Sequence, residues 1–272
     1  MNPVALAFAA FLTAAIGTLG GLGGAILLVP VLVLSGMEAK YAAPLGLVSV
    51  AAGSLAAAPH QLTARVVNHR LGVATEIVAS SAALVGALVS GLIGQSSLAI
   101  VLGVVALFAA FAGGRRKGIR NLPDPALTAV DVGERPGTLA GVYPLGDDYV
   151  PYRATRVPTG LLGMAAAGLI SGLSGVGGGW IKTPTASEVM HVPVKVAAAT
   201  STFTVGVTAA VGLLVYESQG RIVVSDAALV AAAGLVGGTV GVRLQHLLPP
   251  PLVRRGLSVI LAAIGVLLIV RR

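Results

Sequence analysis

The chain has 272 residues, of which 56% are hydrophobic and only 10% charged, with a mean hydropathy of +0.92. Soluble domains carry roughly 25% charged residues, so this composition excludes a soluble surface and marks an all-α polytopic membrane protein. The net charge of +8 sits mostly in loops, as cytoplasmic loop charge does, which argues against a nucleic-acid partner; the absence of cysteine excludes disulfides and thiolate metal sites.

The first apolar segment spans 3–34. No Lys or Arg precedes Lys40, so the start lacks the basic region of a signal peptide and reads as a membrane segment. Segments 41–59, 72–93 and 97–112 follow, most of them near the ~20 residues that one helical crossing needs. A polar stretch, 113–156, carries Arg115, Arg116, Lys117, Arg120 and the neighbours Asp147 and Asp148. Its end, LAGVYPLGDDYVPYRAT, alternates aromatic and polar residues around Gly146-Asp147, which predicts a small β-hairpin. Segments 157–188, 195–216, 226–246 and 250–270 complete the chain. Segments 3–34 and 157–188 are too long for one crossing, and each has a glycine cluster in its middle.

Those clusters belong to an internal repeat. Gly20-Gly21-Leu22-Gly23-Gly24-Ala25, with Pro30 beyond it, matches Ser174-Gly175-Val176-Gly177-Gly178-Gly179, with Pro184 beyond. The register continues with small slips: Lys40-Tyr41-Ala42-Ala43 against Lys195-Val196-Ala197-Ala198, and Leu84-Val85-Gly86 against Leu235-Val236-Gly237. The expected organisation is an N-terminal transmembrane repeat (1–112), a cytoplasmic linker (113–156) and a C-terminal transmembrane repeat (157–272), each repeat having four apolar segments, the first broken at its glycines.

Duplicated halves with broken helices at matching places point to a secondary transporter. Irregular backbone at membrane depth must be buried in protein or line a wet cavity. The unpaired N–H groups after such a break attract anions; close helix packing is the other use of the same glycines. The middles of the expected spans hold no Asp or Glu, since Glu38, Glu76, Glu188, Glu217 and Asp226 fall near segment ends. Cation carriers usually keep an intramembrane carboxylate, so the sequence favours an anion.

The expected binding residues are therefore Gly20, Gly21, Gly23 and Gly24 in the first cluster and Ser174, Gly175, Gly177, Gly178 and Gly179 in the second. Lys182 is the most deeply placed charge, either a counter-charge for the anion or a lysine snorkelling to an interface; its repeat partner is Leu28. Trp180 is an interfacial anchor or an indole donor to an oxyanion. Thr200, Ser201 and Thr202 open the next segment, opposite Leu45-Gly46-Leu47 with Ser49 nearby, and either donate to an oxyanion or bond back to their own helix. No catalytic triad, metal-binding arrangement or cofactor motif occurs in the spans, and there are only 4 histidines, which argues against an enzyme.

The two-halves layout, the paired motifs at 22–30 and 175–184 and the Lys-x-Ala-Ala-x-Thr-Ser run at 195–201 resemble the TauE/SafE sulfite exporter family over essentially the whole chain. That resemblance implies a plasma-membrane carrier of sulfur-containing anions such as sulfite or the organosulfonate sulfoacetate. The first half departs from it, having Pro44-Leu45-Gly46-Leu47 where members often carry hydroxyls.

If the long segments are re-entrant hairpins, the halves are inverted; if they cross, the halves are parallel. About fourteen residues before the first break reach roughly 21 Å, short of a ~30 Å hydrocarbon core, which favours inverted repeats. The inverted arrangement puts 13 Lys and Arg on the side of loop 113–156 and 4 opposite, leaving Lys182 aside; either arrangement makes that side cytoplasmic. The sequence thus reads as an exporter of small sulfur oxyanions in the lipid bilayer, working by alternating access. A carrier of another anion or of a neutral or cationic solute, and a membrane anchoring subunit, stay open as alternatives. So do the coupling ion and a homo-oligomeric state.

Overall fold

A computed structural model describes residues 2–19, 24–115, 133–145, 148–244 and 250–270. The first half forms helices α1 (Pro3–Leu19), α2 (Ala25–Leu34), α3 (Ala39–Thr63), α4 (His69–Ser90) and α5 (Gln95–Arg115). The linker contributes strands β1 (Gly133–Glu134), β2 (Ala140–Leu145) and β3 (Asp148–Arg153). The second half forms α6 (Val157–Ser174), α7 (Gly179–Pro184) with a following π-helical turn (Thr185–Val189), α8 (Val194–Ser218), α9 (Val224–Leu244) and α10 (Pro250–Val270). Helices α3, α4, α6, α8 and α9 are long and apolar enough to cross a membrane; α1, α2 and the described parts of α5 and α10 are shorter apolar helices.

Both long apolar segments fold back on themselves. Residues ten apart in a continuous helix would lie about 15 Å apart, yet a Cβ on Gly24 would come within 2.6 Å of Ala14 Cα. In the second half, Gly178 packs on Ala167, Thr185 on Gly163 and Met190 on Gly160, so α7 and its π turn run back along α6. A bond from Thr155 N–H to Met190 O (2.9 Å) closes the base of this hairpin.

Contacts at the helix ends give each remaining helix its direction. Asn68 Nδ2 donates to the Tyr152 hydroxyl (3.0 Å), and Glu134 accepts from Arg70 N–H (3.0 Å), so the α3–α4 corner lies at the linker end. At the opposite end Arg221 donates to Lys40 O (2.9 Å) and Ser90 Oγ (2.7 Å), and Gln95 to Glu38 (3.2 Å). Hence α3 runs away from that end while α8 runs toward it.

The helices sort into packed groups that exchange members between the halves. Helix α4 lies along α6, with α7 and α8 beside them; α1 lies along α9, with α2 and α3 beside them; α5 pairs with α10. Small residues explain the two tightest pairs. Gly168 and Gly172 leave room for the backbone oxygens of Ala79 and Ala83, and Gly237 and Gly241 for those of Phe11 and Ala15. Without a hydrophobic drive between helices in lipid, this close backbone approach supplies the attraction. Contacts between α3 and α8 join the two groups.

The three strands form an antiparallel sheet in the order β1-β2-β3. Asn68 ties it to the helices: its side chain accepts from Leu71 N–H (2.9 Å), capping α4, and also holds Tyr152. Burial pushes the Tyr152 hydroxyl up to about 12, above its usual 10. A raised folded value means full stabilisation below pH ~10, lost as pH climbs through about 12. Tyrosinate absorbance in an alkaline titration should therefore show Tyr152 ionising late, together with release of the sheet; Asn68→Ala removes a donor that favours the tyrosinate, so with the sheet still docked it should delay that ionisation further.

Candidate functional site

A cavity of about 170 Å³ lies between the two four-helix groups. One water needs only ~10–15 Å³, so a small polyatomic ligand fits. Helix α3 supplies Ser49, Ser54 and Gln61, α1 supplies Thr18, α7 supplies Thr183, and α8 supplies Ser201 and Thr202. Alanine, valine and glycine form the rest of the wall, including Gly24, Gly177 and Gly179. Among the described residues, no ionisable side chain lines it.

The turn between α6 and α7 shapes its floor. Gly175 (φ 72°) and Gly177 (φ 82°) adopt left-handed backbone that side chains disfavour. Gly175 also packs against Ala43, where a Cβ would come within 2.4 Å of Ala43 Cα. Away from the linker end the two groups close tightly: Gly46 meets Gly175 O and Val29, and Gly212 meets Leu47. The cavity extends the other way, toward Gln61, Ala198 and Val242 at the linker ends of α3, α8 and α9. Ser54 Oγ bridges it, donating to Thr202 O (2.7 Å).

Three polar atoms on this wall are buried without a protein partner: Ser49 Oγ, Gln61 Oε1 and Ser201 Oγ. Ser49 is 1% exposed and Ser201 6%. Buried polar groups are satisfied in nearly all native structures, so three orphans converging on one cavity mark a place for a polar ligand.

A second polar centre lies behind the wall. Lys182 is 2% exposed, and its ammonium donates to Glu76 Oε2 (2.6 Å) and Thr208 Oγ1 (2.6 Å). Glu76, 7% exposed, also accepts from Ser80 Oγ (2.6 Å) and from Thr208 Oγ1. The centre adjoins the cavity: Thr183 follows Lys182 in the chain, and Ser201 lines both the main cavity and a cleft of about 10 Å³ beside Lys182.

A family model described as sulfite exporter TauE/SafE matches residues 6–268. The chain belongs to the TauE/SafE sulfite exporter family. TauE/SafE proteins are membrane transporters of sulfite-type anions, which makes this chain a multi-pass transporter of that class. Among curated proteins and solved structures there is no match.

Several expected residues of this TauE/SafE protein meet at the cavity: Gly24, Ser49, Gly177, Gly179, Ser201 and Thr202. Others lie around it. Gly178 packs on Ala167, and Ser174 turns its hydroxyl back to Ile170 O (2.6 Å). Thr200 accepts from Asn68 N–H (3.0 Å). Trp180, 3% exposed, sits in the apolar core with its ring edge toward Phe108 (5.9 Å between centroids). Gly20, Gly21 and Gly23 lie outside the described residues.

Lys182 differs most from expectation. It is neither a lone counter-charge nor a snorkelling chain, because the carboxylate of Glu76 meets it inside the protein. Glu76 does lie near the start of α4, in the second turn after His69, but on the buried face toward α8, where the sequence reading did not place it. The spacing of Glu76 and Ser80 on one helical face was the available signal. Gln61, Ser54, Thr183 and Thr208 also went unmarked, because isolated hydroxyls and amides in apolar helices carry no pattern.

Proposed function

We propose that this protein exports small sulfur oxyanions, sulfite or an organosulfonate such as sulfoacetate, across the plasma membrane by alternating access. The cavity between the helix groups is the binding site, and its three orphaned polar atoms carry the reading. A sulfur oxyanion presents several acceptor oxygens. The hydroxyls of Ser49 and Ser201 donate to them, rotation of the Gln61 amide brings its NH₂ end to the ligand, and backbone N–H groups at the glycine turns add donors. A neutral wall holds an anion by hydrogen bonds and releases it readily, as a carrier needs.

In this reading the halves are inverted repeats, 1–112 and 157–272, joined by a cytoplasmic linker at 113–156. The opposite directions of α3 and α8 and the reciprocal packing of α4 on α6 and α1 on α9 support that symmetry. The Lys and Arg excess at the linker end supports its cytoplasmic placement. The cavity then faces the cytoplasm. In this reading the units that rock are the two packed groups, α1-α2-α3-α9 against α4-α6-α7-α8, each of which draws on both sequence halves.

Ser49→Ala and Ser201→Ala test the site. Each removes a hydrogen bond to a charged ligand, about 1.5–3 kcal/mol, so labelled sulfite transport in proteoliposomes should weaken by ~10-fold or more. Melting temperature should hold, because neither hydroxyl has a protein partner to lose. Transport at the wild-type rate in both variants would sink the proposed site.

A further inference from the structure

We propose that Glu76 is a proton-binding site that couples proton movement to anion movement. The inference rests on the anion-carrier reading above and adds the coupling ion.

The fold does not need charge at this place. Where the repeat register puts the second half's Lys182, the first half has Leu28; where it puts the first half's Glu76, the second half has the wholly apolar run 227–231. Leu28 is fully buried and Ala227 packs against the same apolar cluster. One pseudo-equivalent position is thus filled with hydrocarbon, the other with an ion pair buried inside the protein. An ionisable residue there is expensive to keep and marks function.

The surroundings make the pair a simple two-state element. Helix α6, packed along α4, carries no titratable residue. Helix α8 presents Thr208, while its Tyr216 is engaged two turns away with Gly172 O. Helix α7 presents Lys182, and α4 itself adds Ser80. With Glu76 ionised, the charges cancel and the cavity stays neutral. A proton from water that binds Glu76 Oε2 displaces the hydrogen bond from the Lys182 ammonium, which has donors only, and makes a neutral acid; the ammonium then loses its counter-charge. That uncompensated cation stands one residue from cavity-lining Thr183 and behind Ser201. An oxyanion in the cavity then restores neutrality. Proton and anion therefore favour each other's binding, by equal amounts in both directions. For a dianion such as sulfite, one proton leaves one net negative charge, so a negative-inside potential still drives export.

The test uses purified full-length protein and methanesulfonate, whose own charge does not change with pH. One proton per anion makes affinity rise about tenfold for each pH unit of acidification through the coupled range. In Glu76→Ala/Lys182→Leu, which installs the hydrocarbon pair of the other half, that slope should fall to zero; Glu76→Gln serves if the double variant does not fold. In proteoliposomes, a pH-sensitive dye should report protons moving with labelled methanesulfonate, which brings no titrating proton of its own. Methanesulfonate transport with no proton movement, or a pH slope that persists in the variants, overturns the coupling and leaves the carrier reading standing. If no anion binds at all, the carrier reading fails instead. The infrared band of a protonated carboxyl then decides the proton site: a titrating band that Glu76→Gln removes supports it, and no such band over the folded pH range overturns it.

Discussion

Gly168→Leu is expected to prevent stable folding. A Cβ at this position would lie 1.9 Å from Ala79 O, and one turn on, at Gly172, 2.0 Å from Ala83 O. Both clashes are with backbone, so no side-chain rotation relieves them. Helices α4 and α6 would have to separate along their length, and α4 is the element that the first half contributes to the second group. Overpacking of this kind, added to lost close contact, costs more than about 4 kcal/mol. Size-exclusion profile and melting temperature in detergent are the readouts. Gly256→Leu, at a position with nothing within 4 Å, is the matched control and should behave as wild type. A Gly168→Leu protein that melts with the wild type would show that the α4–α6 approach is not what holds the groups together.

The second large effect lies in the ion pair. Lys182→Leu leaves a buried carboxylate and Glu76→Ala a buried ammonium, and each unpaired charge costs about 3–5 kcal/mol. Replacing both by hydrocarbon removes the charges and their desolvation together, so the double variant should be closer to wild type than either single one. The coupling read from this cycle should exceed about 2 kcal/mol. Additive losses would mean that the two side chains act independently despite their 2.6 Å separation. The same cycle bears on Lys182→Ala as a probe of anion binding: a weakened carrier there reports the stranded Glu76 as much as any lost contact to substrate.

Much of the architecture is local and therefore readable along the chain. Spans follow from runs of apolar residues, because lipid demands apolar surface over a fixed length. The folding-back of 3–34 follows from the same ruler, since its stretch before the glycines is shorter than a crossing; in 157–188 the signal is a run too long for one crossing with glycines in its middle. The β2–β3 pairing, Ala140 with Arg153 through Leu145 with Asp148, follows from alternation around a short turn. Serine 49 and the 200–202 hydroxyls were visible as polar groups where the membrane disfavours them.

The rest depended on which helix meets which. Glu76 and Lys182 stand 106 residues apart, and neither sequence neighbourhood announces the other. Close packing of α4 on α6 carried the carboxylate across, and with it the sign of the electrostatics changed from a bare cation to a neutral pair. Likewise Gln61 is an ordinary helix-end amide until α8 and α9 enclose it. By itself, then, the sequence determined the solvent of this protein and its apolar segments, which are settled by composition and spacing within one element, while its motifs carried the resemblance to a transporter family. Only the tertiary structure decided where the cavity lies, which polar atoms it leaves unpaired and which charges cancel, because those are properties of facing surfaces brought together from distant parts of the chain.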